Sequence, residues 1–235
     1  MSLQQRDLFI KQIFTTVAPH VDVLSSGFSL GFDHFWRLKA VELSGIRKGE
    51  RVLDVCTGTG ELAVLLARKV GHDGSVTGAD FCEEMLDQAR RKKGGTLPNL
   101  TYLVSDAKQL PFADNSFDTV TVSFGMRNIP DTAHALRELK RVLKPGGKFV
   151  CLELTRPPEG WFRTVYEWYV FRMMPFIAEI VIKTAAPYLY LPRSIKAFYP
   201  PSEFRRLITE SGYTDVTIHS MTGGIATIFL AVKHG

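Results

Sequence analysis

The chain has 235 residues, a length that suits one α/β domain with an elaboration or at most two small domains. Of these residues 45% are hydrophobic and 23% charged, as expected for an ordinary soluble globular protein. It contains no apolar run as long as a membrane span, and its first residues lack the pattern of a secretory signal peptide. Its three cysteines are widely spaced, without a C-x-x-C or a His/Cys cluster, which disfavours a disulfide framework and a zinc site. We therefore expect a protein of a reducing, cytoplasmic compartment with no bound metal.

The formal net charge of +5 is compatible with nucleic-acid binding, but its distribution is not typical of it. The one dense basic run, Arg90 to Lys93, precedes Gly94 and Gly95, where a helix is predicted to end. Cations at that position complement the helix dipole, and glycine supplies a left-handed cap. We therefore predict no nucleic-acid partner.

In chain order, residues 1–45 predict an N-terminal helical cap of two helices joined by a Ser/Gly loop from Ser25 to Gly31. Residues 46–235 then predict an α/β domain in which short apolar strands alternate with helical patterns, as in a parallel sheet with crossover helices. The predicted strands are Arg51–Cys56, Ser75–Asp80, Leu100–Asp106, Phe117–Phe124 and Lys148–Leu154. The predicted helices are Glu61–Val70, Cys82–Lys93, Thr132–Leu143 and Ser202–Ser211, the last with Ser202 as N-cap. Two final strands, "YTDVTIHSM" and "ATIFLAVK", predict a hairpin across Thr222 to Gly224.

Residues 156–200 interrupt this alternation and hold 11 aromatic side chains. An insertion after the fifth strand lies at the carboxyl edge of the sheet, where open α/β folds bind ligands. It is interpreted either as a lid over an apolar substrate, or as a helical subdomain with its own core or a homodimer contact.

The stretch "VLDVCTGTGE" raises the question of the cofactor. Gly58, Gly60 and Ala63 fit the G-x-G-x-x-G/A pattern, and Asp80 ends the second strand, 20 residues after Gly60. A carboxylate at that point can accept hydrogen bonds from two ribose hydroxyls. Nicotinamide dinucleotides and S-adenosylmethionine both carry such a ribose.

Asp54 favours S-adenosylmethionine. A carboxylate close to the glycine loop would repel a dinucleotide's pyrophosphate, whereas it suits the amino group and sulfonium of S-adenosylmethionine. The alternative is a strand-end carboxylate that accepts hydrogen bonds from nearby backbone N–H groups. Asp106 and Ala107 end the third strand, where they can meet an adenine edge, and Ser123 ends the fourth, next to the space for a transferable methyl group.

Several stretches resemble class I methyltransferases of the ubiquinone/menaquinone biosynthesis C-methyltransferase family. They are "VLDVCTGTGELA", "VSDAKQLPFADNSFD", "SFGMRN" and "RVLKPGGKFVCLELT". The resemblance implies a Rossmann-like, seven-stranded, mostly parallel sheet whose last strand is antiparallel. It also implies that Thr59, Asp80, Asp106 with Ala107, and Ser123 contact S-adenosylmethionine, while Asp54, Gly58 and Gly60 shape the loop.

The chemistry implied by the resemblance is methyl transfer to a ring carbon of a prenylated quinol, without a metal. Arg127 is the candidate for stabilising a ring oxyanion, with Asn128 beside it; the alternative for Arg127 is a structural salt bridge or a loop hydrogen bond. Asp22 and Tyr190 are substrate candidates on the resemblance alone. The aromatic side chains expected to line a groove for the isoprenoid tail are Trp161, Tyr166, Trp168, Phe171 and Phe176.

The insertion also carries six Lys/Arg against three Glu, which suggests contact with an anionic membrane surface. The sequence departs from the family pattern at Asp33, where a histidine is usual, and at Thr184 and Phe229. These departures leave open a methyltransferase with another apolar or phenolic acceptor. A non-catalytic S-adenosylmethionine-binding protein and a nicotinamide oxidoreductase are further alternatives.

Overall fold

A twisted seven-stranded sheet forms the centre of the computed structural model, which describes residues 3–19, 21–92, 97–174 and 186–234. The strands are β1 (Arg51–Val55), β2 (Ser75–Asp80), β3 (Leu100–Val104), β4 (Phe117–Ser123), β5 (Leu143–Leu154), β6 (Tyr213–Met221) and β7 (Ala226–Lys233). Their order is β3-β2-β1-β4-β5-β7-β6. The pairs from β3 to β5 are parallel, and β7 is antiparallel to both of its neighbours. The predicted fold class, including the antiparallel last strand, is confirmed.

Helices cover both faces of the sheet. They are α1 (Leu3–Val17), α2 (Val21–Ser29), α3 (Phe32–Ser44), α4 (Glu61–Val70), α5 (Glu83–Arg91), α6 (Thr132–Val142), α7 (Trp161–Trp168), α8 (Ala186–Ala197) and α9 (Pro201–Glu210). In β1, Val52 packs with α4 on one face, whereas Leu53 and Val55 pack in the larger core with α6 and α9 on the other. Because central parallel strands are buried on both faces, the buried residues of β1 and β4 are apolar or threonine, with Asp54 as the exception.

Periodicity predicted the central helices well, since each has one apolar stripe. In α6, Ala135, Leu136, Leu139 and Val142 are buried, and Asp131 accepts a hydrogen bond from the backbone N–H of His134 (3.0 Å) as N-cap. The helix predicted over Cys82–Lys93 runs from Glu83 to Arg91, and its predicted glycine cap lies outside the described residues.

The N-terminal prediction of two helices and a Ser/Gly loop is wrong. The segment forms three helices, and Ser25 to Ser29 lie inside α2. The reason is tertiary packing: Phe28 of α2 packs against Tyr166, Val170 and Met174 of the insertion, which outweighs the low helix propensity of serine and glycine. The turn is confined to Leu30 and Gly31, which both have positive φ.

Two local boundaries also differ from expectation. The last helix begins at Pro201, and no side chain caps it, so Ser202 is not its N-cap; proline suits a first helical position because it has no N–H to satisfy. β5 begins at Leu143, five residues before the predicted Lys148, because Leu143 pairs with Phe117 across an irregular register.

The described part of the insertion contains α7, a π-helical turn (Tyr169–Met173) and α8. Residues 175–185, which include Phe176 and Thr184, lie outside the described residues. Among the helices that are described, none has the length and apolar content needed to cross a bilayer.

Candidate functional site

A cavity of about 590 Å³ lies at the carboxyl ends of the parallel strands. Its floor includes Thr57 after β1, Asp80 of β2, Asp106 after β3, Ser123 of β4 and Leu154 of β5. Residues of α1 to α3, α7 and α8 form its other walls. This is the position at which open α/β sheets bind ligands, and the volume is in the range of small-molecule sites.

The glycine loop after β1 adopts a conformation that requires glycine. Gly58 and Gly60 have φ values of 56° and 78°. A Cβ on Gly60 would lie 2.4 Å from the Tyr102 hydroxyl oxygen, so the loop packs closely against β3. A Cβ on Gly58 would meet no protein atom within 4 Å, and Gly58 lines the cavity. The loop therefore leaves open space where a ligand can approach its backbone.

Asp54 is buried beneath this loop and does not line the cavity. Its carboxylate accepts hydrogen bonds from the hydroxyl groups of Thr57 and Thr121, both at 2.6 Å. Burial raises the pKa of Asp54 to about 6, although the two hydroxyl groups oppose that increase. Because Asp54 does not line the cavity, this geometry does not support the expected direct contact with a cofactor cation. Asp54 instead holds the loop through Thr57, and its partners are hydroxyl groups rather than the backbone N–H groups of the alternative interpretation.

Asp80 lines the cavity beside the glycine loop. One carboxylate oxygen accepts a hydrogen bond from the Gly58 N–H (2.8 Å), and the other accepts one from the Cys82 N–H (3.0 Å). Burial raises the pKa of Asp80 to about 6 as well. The two amides hold the carboxylate in one orientation and leave lone pairs on both oxygens for a ligand.

The remaining predicted cofactor residues lie along the same wall, except Gly60. Thr59, Asp106, Ala107 and Ser123 all line the cavity, whereas Gly60 lies behind the loop as the N-cap of α4. Asp106 accepts a hydrogen bond from the Lys108 N–H (2.8 Å), and Lys108 in turn binds Asp7 of α1 (2.6 Å). Lys108 thus connects α1 of the N-terminal cap to the residues that follow β3.

Asp22 lines the cavity beside the glycine loop. It accepts a hydrogen bond from the Thr59 hydroxyl (2.5 Å) and forms an ion pair with Lys92, which also binds Glu61 (2.7 Å). Its polar contacts are therefore with the glycine loop and its surroundings, whereas the other two predicted substrate residues, Asn128 and Tyr190, bind each other (2.8 Å).

Arg127 lines the cavity and is also part of a buried ion pair. Its Nη1 donates to Glu153 (2.5 Å) and to the carbonyl oxygen of Phe124 (2.6 Å). The structural salt bridge and loop hydrogen bond considered as its alternative role are both present. Glu153 was missed by the sequence analysis; its signal was an acid inside the otherwise apolar strand "FVCLEL".

A second buried ion pair, between Asp33 and Arg37 of α3, was also missed and also lines the cavity. The spacing of four residues was its signal. Of the aromatic side chains expected to line a groove, Tyr166 and Trp168 do so, but Trp161 and Phe171 do not, and Trp161 is 80% exposed.

The chain matches the ubiE/COQ5 methyltransferase family over residues 2–233. It is 38% identical over 224 residues to the demethylmenaquinone methyltransferase of Staphylococcus aureus (strain JH9), across 95% of this chain and 92% of that protein. These matches confirm the resemblance found in the motifs.

Solved structures agree in fold. A SAM-dependent methyltransferase from Aquifex aeolicus has a TM-score of 0.62 at 24% identity, covering 83% of this chain and 88% of that one. A Thermotoga maritima protein, described as a SAM-dependent methyltransferase and possible histamine N-methyltransferase, has a TM-score of 0.66 at 21% identity, covering 94% and 99%. At such identities the likeness concerns the fold alone. With the match over nearly the whole sequence, the chain belongs to the ubiE/COQ5 methyltransferase family and is an S-adenosylmethionine-dependent methyltransferase.

Proposed function

We propose that this enzyme methylates a ring carbon of a prenylated quinol of the demethylmenaquinol type. The relative that is 38% identical is named a demethylmenaquinone methyltransferase. The observation that carries the proposal is the division of one cavity into two halves. Asp80 and Asp106 line a polar half at the ends of β2 and β3, while Tyr166, Val170 and Met174 line an apolar half under the insertion.

The polar half fits S-adenosylmethionine. The open space at Gly58 admits a ligand against the loop backbone, and the oriented carboxylate of Asp80 can accept hydrogen bonds from two ribose hydroxyls. Asp106 with Ala107 would hold the adenine, and Thr59 and Ser123 would contact the remainder of the molecule. When bound, S-adenosylmethionine supplies a methyl group on a positively charged sulfur.

The apolar half fits a quinol ring and its tail. Arg127 would stabilise negative charge on a ring oxygen, which makes the neighbouring ring carbon a better nucleophile. Asn128 and Tyr190 form a polar pair on the same wall. The protein's further contribution is alignment and exclusion of water, and alignment of two reactants can lower a barrier by ~7–11 kcal/mol.

The finer partner proposal is a peripheral membrane contact on the cytoplasmic side through α7. Trp161, Val165 and Trp168 are spaced along one face of this helix and are 80%, 55% and 59% exposed. Val165 and Trp168 also line the cavity, so this face joins the cavity to the outer surface. Aromatic side chains at such positions suit a membrane interface, where prenylated quinols dissolve. Co-sedimentation with anionic liposomes should weaken in a Trp161→Ser, Trp168→Ser variant; binding that is equally strong in this variant would contradict the contact.

The experiment that tests the function compares acceptors. The purified enzyme with S-adenosylmethionine should methylate detergent-solubilised demethylmenaquinol, and we expect Arg127→Gln to reduce that rate. Turnover of soluble phenols alone would reject the quinol and favour the other acceptor class. Titration with NADH serves as the control for the cofactor, and we expect no binding.

A further inference from the structure

Two buried arginines contact Phe124 at the end of β4. The Nη1 of Arg127 donates to the Phe124 carbonyl oxygen (2.6 Å), and the guanidinium carbon of Arg37 lies 5.1 Å from the centre of the Phe124 ring. Each arginine is paired with an acid, Arg127 with Glu153 and Arg37 with Asp33. Both arginines and Phe124 line the cavity. The cavity wall is therefore flanked by two ion pairs that are each neutral overall.

Both guanidinium groups have donors that no residue in the described part of the chain uses. Among the described residues, Nη1 is the only side-chain nitrogen of Arg37 that forms a hydrogen bond, and the same holds for Arg127. The Nε of each is buried and without a partner. The Nη2 atoms also bind no described residue, but they are not buried, and both arginines line the cavity. They are therefore the donors to which a ligand in the cavity can supply acceptors.

The position of Arg37 assigns it to the acceptor half of the cavity. The neighbouring Trp36 donates to the Thr222 hydroxyl (2.9 Å) and packs on residues of β5 and β7. In the strand order, β5 and β7 lie on the far side of β4 from β2 and β3, whose ends carry Asp80 and Asp106. Along the edge of the sheet, Arg37 therefore lies toward β5 and β7, away from the ends of β2 and β3 where the adenosine is proposed to bind.

Asp33 keeps this guanidinium in a defined place. Its carboxylate binds the Arg37 Nη1 at 2.5 Å and accepts a hydrogen bond from the Ser29 hydroxyl at 2.7 Å. Burial would raise the pKa of Asp33, but the hydrogen bonds from Ser29 and Arg37 outweigh that effect and keep the pKa below its usual value. The acid is thus ionised at neutral pH, and Nη2 of Arg37, which is not buried and binds no described residue, stays available to a ligand.

We propose that Arg37 determines specificity for acceptors with two ring oxygens, an inference that rests on the proposed function. A 1,4-quinol carries oxygens at opposite positions of its ring. Arg127 faces one of them, and Arg37 donates to the other. An aromatic acceptor with a single oxygen leaves one of the two guanidinium edges without an acceptor, so it binds less tightly.

The test measures binding rather than turnover. In the presence of S-adenosylhomocysteine, the enzyme is titrated with 2,3-dimethyl-1,4-naphthoquinone, which has two ring oxygens, and with 2,3-dimethyl-1-naphthol, which has one. Wild type should prefer the two-oxygen ring by ~10-fold or more, the effect of one hydrogen bond to a charged group. Arg37→Gln should lose most of that preference through weaker quinone binding, with the affinity for S-adenosylhomocysteine unchanged.

Arg156→Gln is the matched control. Arg156 also pairs with an acid, Glu167, and has a buried Nε without a partner, but it does not line the cavity. The preference should persist in this variant. Equal weakening of both ring ligands in Arg37→Gln, or the same loss of preference in Arg156→Gln, would overturn the inference.

Two further outcomes separate this inference from the function on which it rests. If Arg37→Gln fails to fold, Asp33→Asn provides the second variant, since it releases Arg37 from its partner and should reduce the same preference. Failure of wild type to methylate demethylmenaquinol would reject the proposed function itself. Methylation by wild type, with an unchanged preference in the Arg37 and Asp33 variants, would reject the specificity role alone.

Discussion

At the residue scale, the site depends on carboxylates that the protein buries and then orients with its own donors. Asp80 is held by two backbone amides and Asp54 by two threonine hydroxyls. Because burial raises the pKa of each to about 6, both are mostly ionised at neutral pH and become protonated just below it. The charge of Asp80 in the cavity wall, and of Asp54 beneath the glycine loop, is therefore expected to change between about pH 5 and 7.

Asp80→Asn should weaken S-adenosylmethionine binding by ~10- to 100-fold, because it replaces an oriented carboxylate by an amide with only one acceptor oxygen. In wild type, affinity should fall as the pH drops below about 6, where Asp80 takes up a proton and loses acceptor capacity. Calorimetric titration between pH 5 and 8 checks both statements. Asp118→Asn, a change at the opposite end of the sheet, is the control; a pH-independent affinity in wild type would contradict the prediction.

Arg127→Lys should lower kcat by about 10²- to 10³-fold while leaving S-adenosylhomocysteine affinity unchanged. Lysine keeps the positive charge, but it has a single side-chain nitrogen. That nitrogen cannot bind Glu153 and the Phe124 carbonyl oxygen and also reach the ring oxygen, as the three nitrogens of a guanidinium can. Steady-state kinetics with demethylmenaquinol, next to titration with S-adenosylhomocysteine, separates the two effects. An unchanged kcat would leave Arg127 with its structural ion pair only.

At the element scale, the N-terminal helices close the cofactor side of the cavity through polar contacts at two points. Asp22 of α2 binds Thr59 and Lys92, and Asp7 of α1 binds Lys108 beside Asp106. These links are partly exposed, so each contributes little to the stability of the fold. We expect these links instead to slow the dissociation of S-adenosylmethionine from the cavity.

Asp22→Asn should therefore speed dissociation of S-adenosylmethionine by a few-fold with little change in the free energy of unfolding, since pairs of this exposure are worth about 0–1 kcal/mol. Stopped-flow displacement by S-adenosylhomocysteine measures the dissociation rate. Glu42→Gln, which removes a similar exposed pair with Lys39 on α3, is the control. A dissociation rate that is the same in all three proteins would show that α2 does not restrain the cofactor.

At the scale of the whole molecule, the buried acids make stability of the unliganded enzyme depend on pH. A folded-state pKa raised from 3.8 to about 6 means that the folded protein holds the proton more tightly than the unfolded chain. The resulting stabilisation is fully present below the unfolded pKa and is lost as the pH rises through about 6. For Asp54 this difference corresponds to on the order of 3 kcal/mol.

Asp54→Asn should remove that part of the pH dependence. Relative to the variant, wild type should gain about 2 kcal/mol in free energy of unfolding as the pH is lowered from 7.5 to 4.5, since the full difference is reached only below the unfolded pKa. Urea denaturation at several pH values, without ligand, measures it. Parallel curves for the two proteins would mean that Asp54 has an ordinary pKa and that its two threonine partners fully offset its burial.

The sequence by itself determined the central sheet, the crossover helices and the glycine loop, because these depend on hydrophobic periodicity and on backbone conformations that only glycine adopts readily. Ser75–Asp80 and Glu61–Val70, for example, have the bounds that the pattern predicted. It also identified the residues at the strand ends, since parallel strands bring their carboxyl ends to one edge of the sheet.

Only the tertiary structure decided which of these groups meet. Glu153 binds Arg127 over a separation of 26 residues, Thr59 binds Asp22 over 37, and Tyr190 binds Asn128 over 62. No local pattern records such pairs, because they follow from strand order and from how the N-terminal helices and the insertion pack over the sheet. The same packing extended α2 through a Ser/Gly stretch and turned Asp33 and Arg37 into part of the cavity wall.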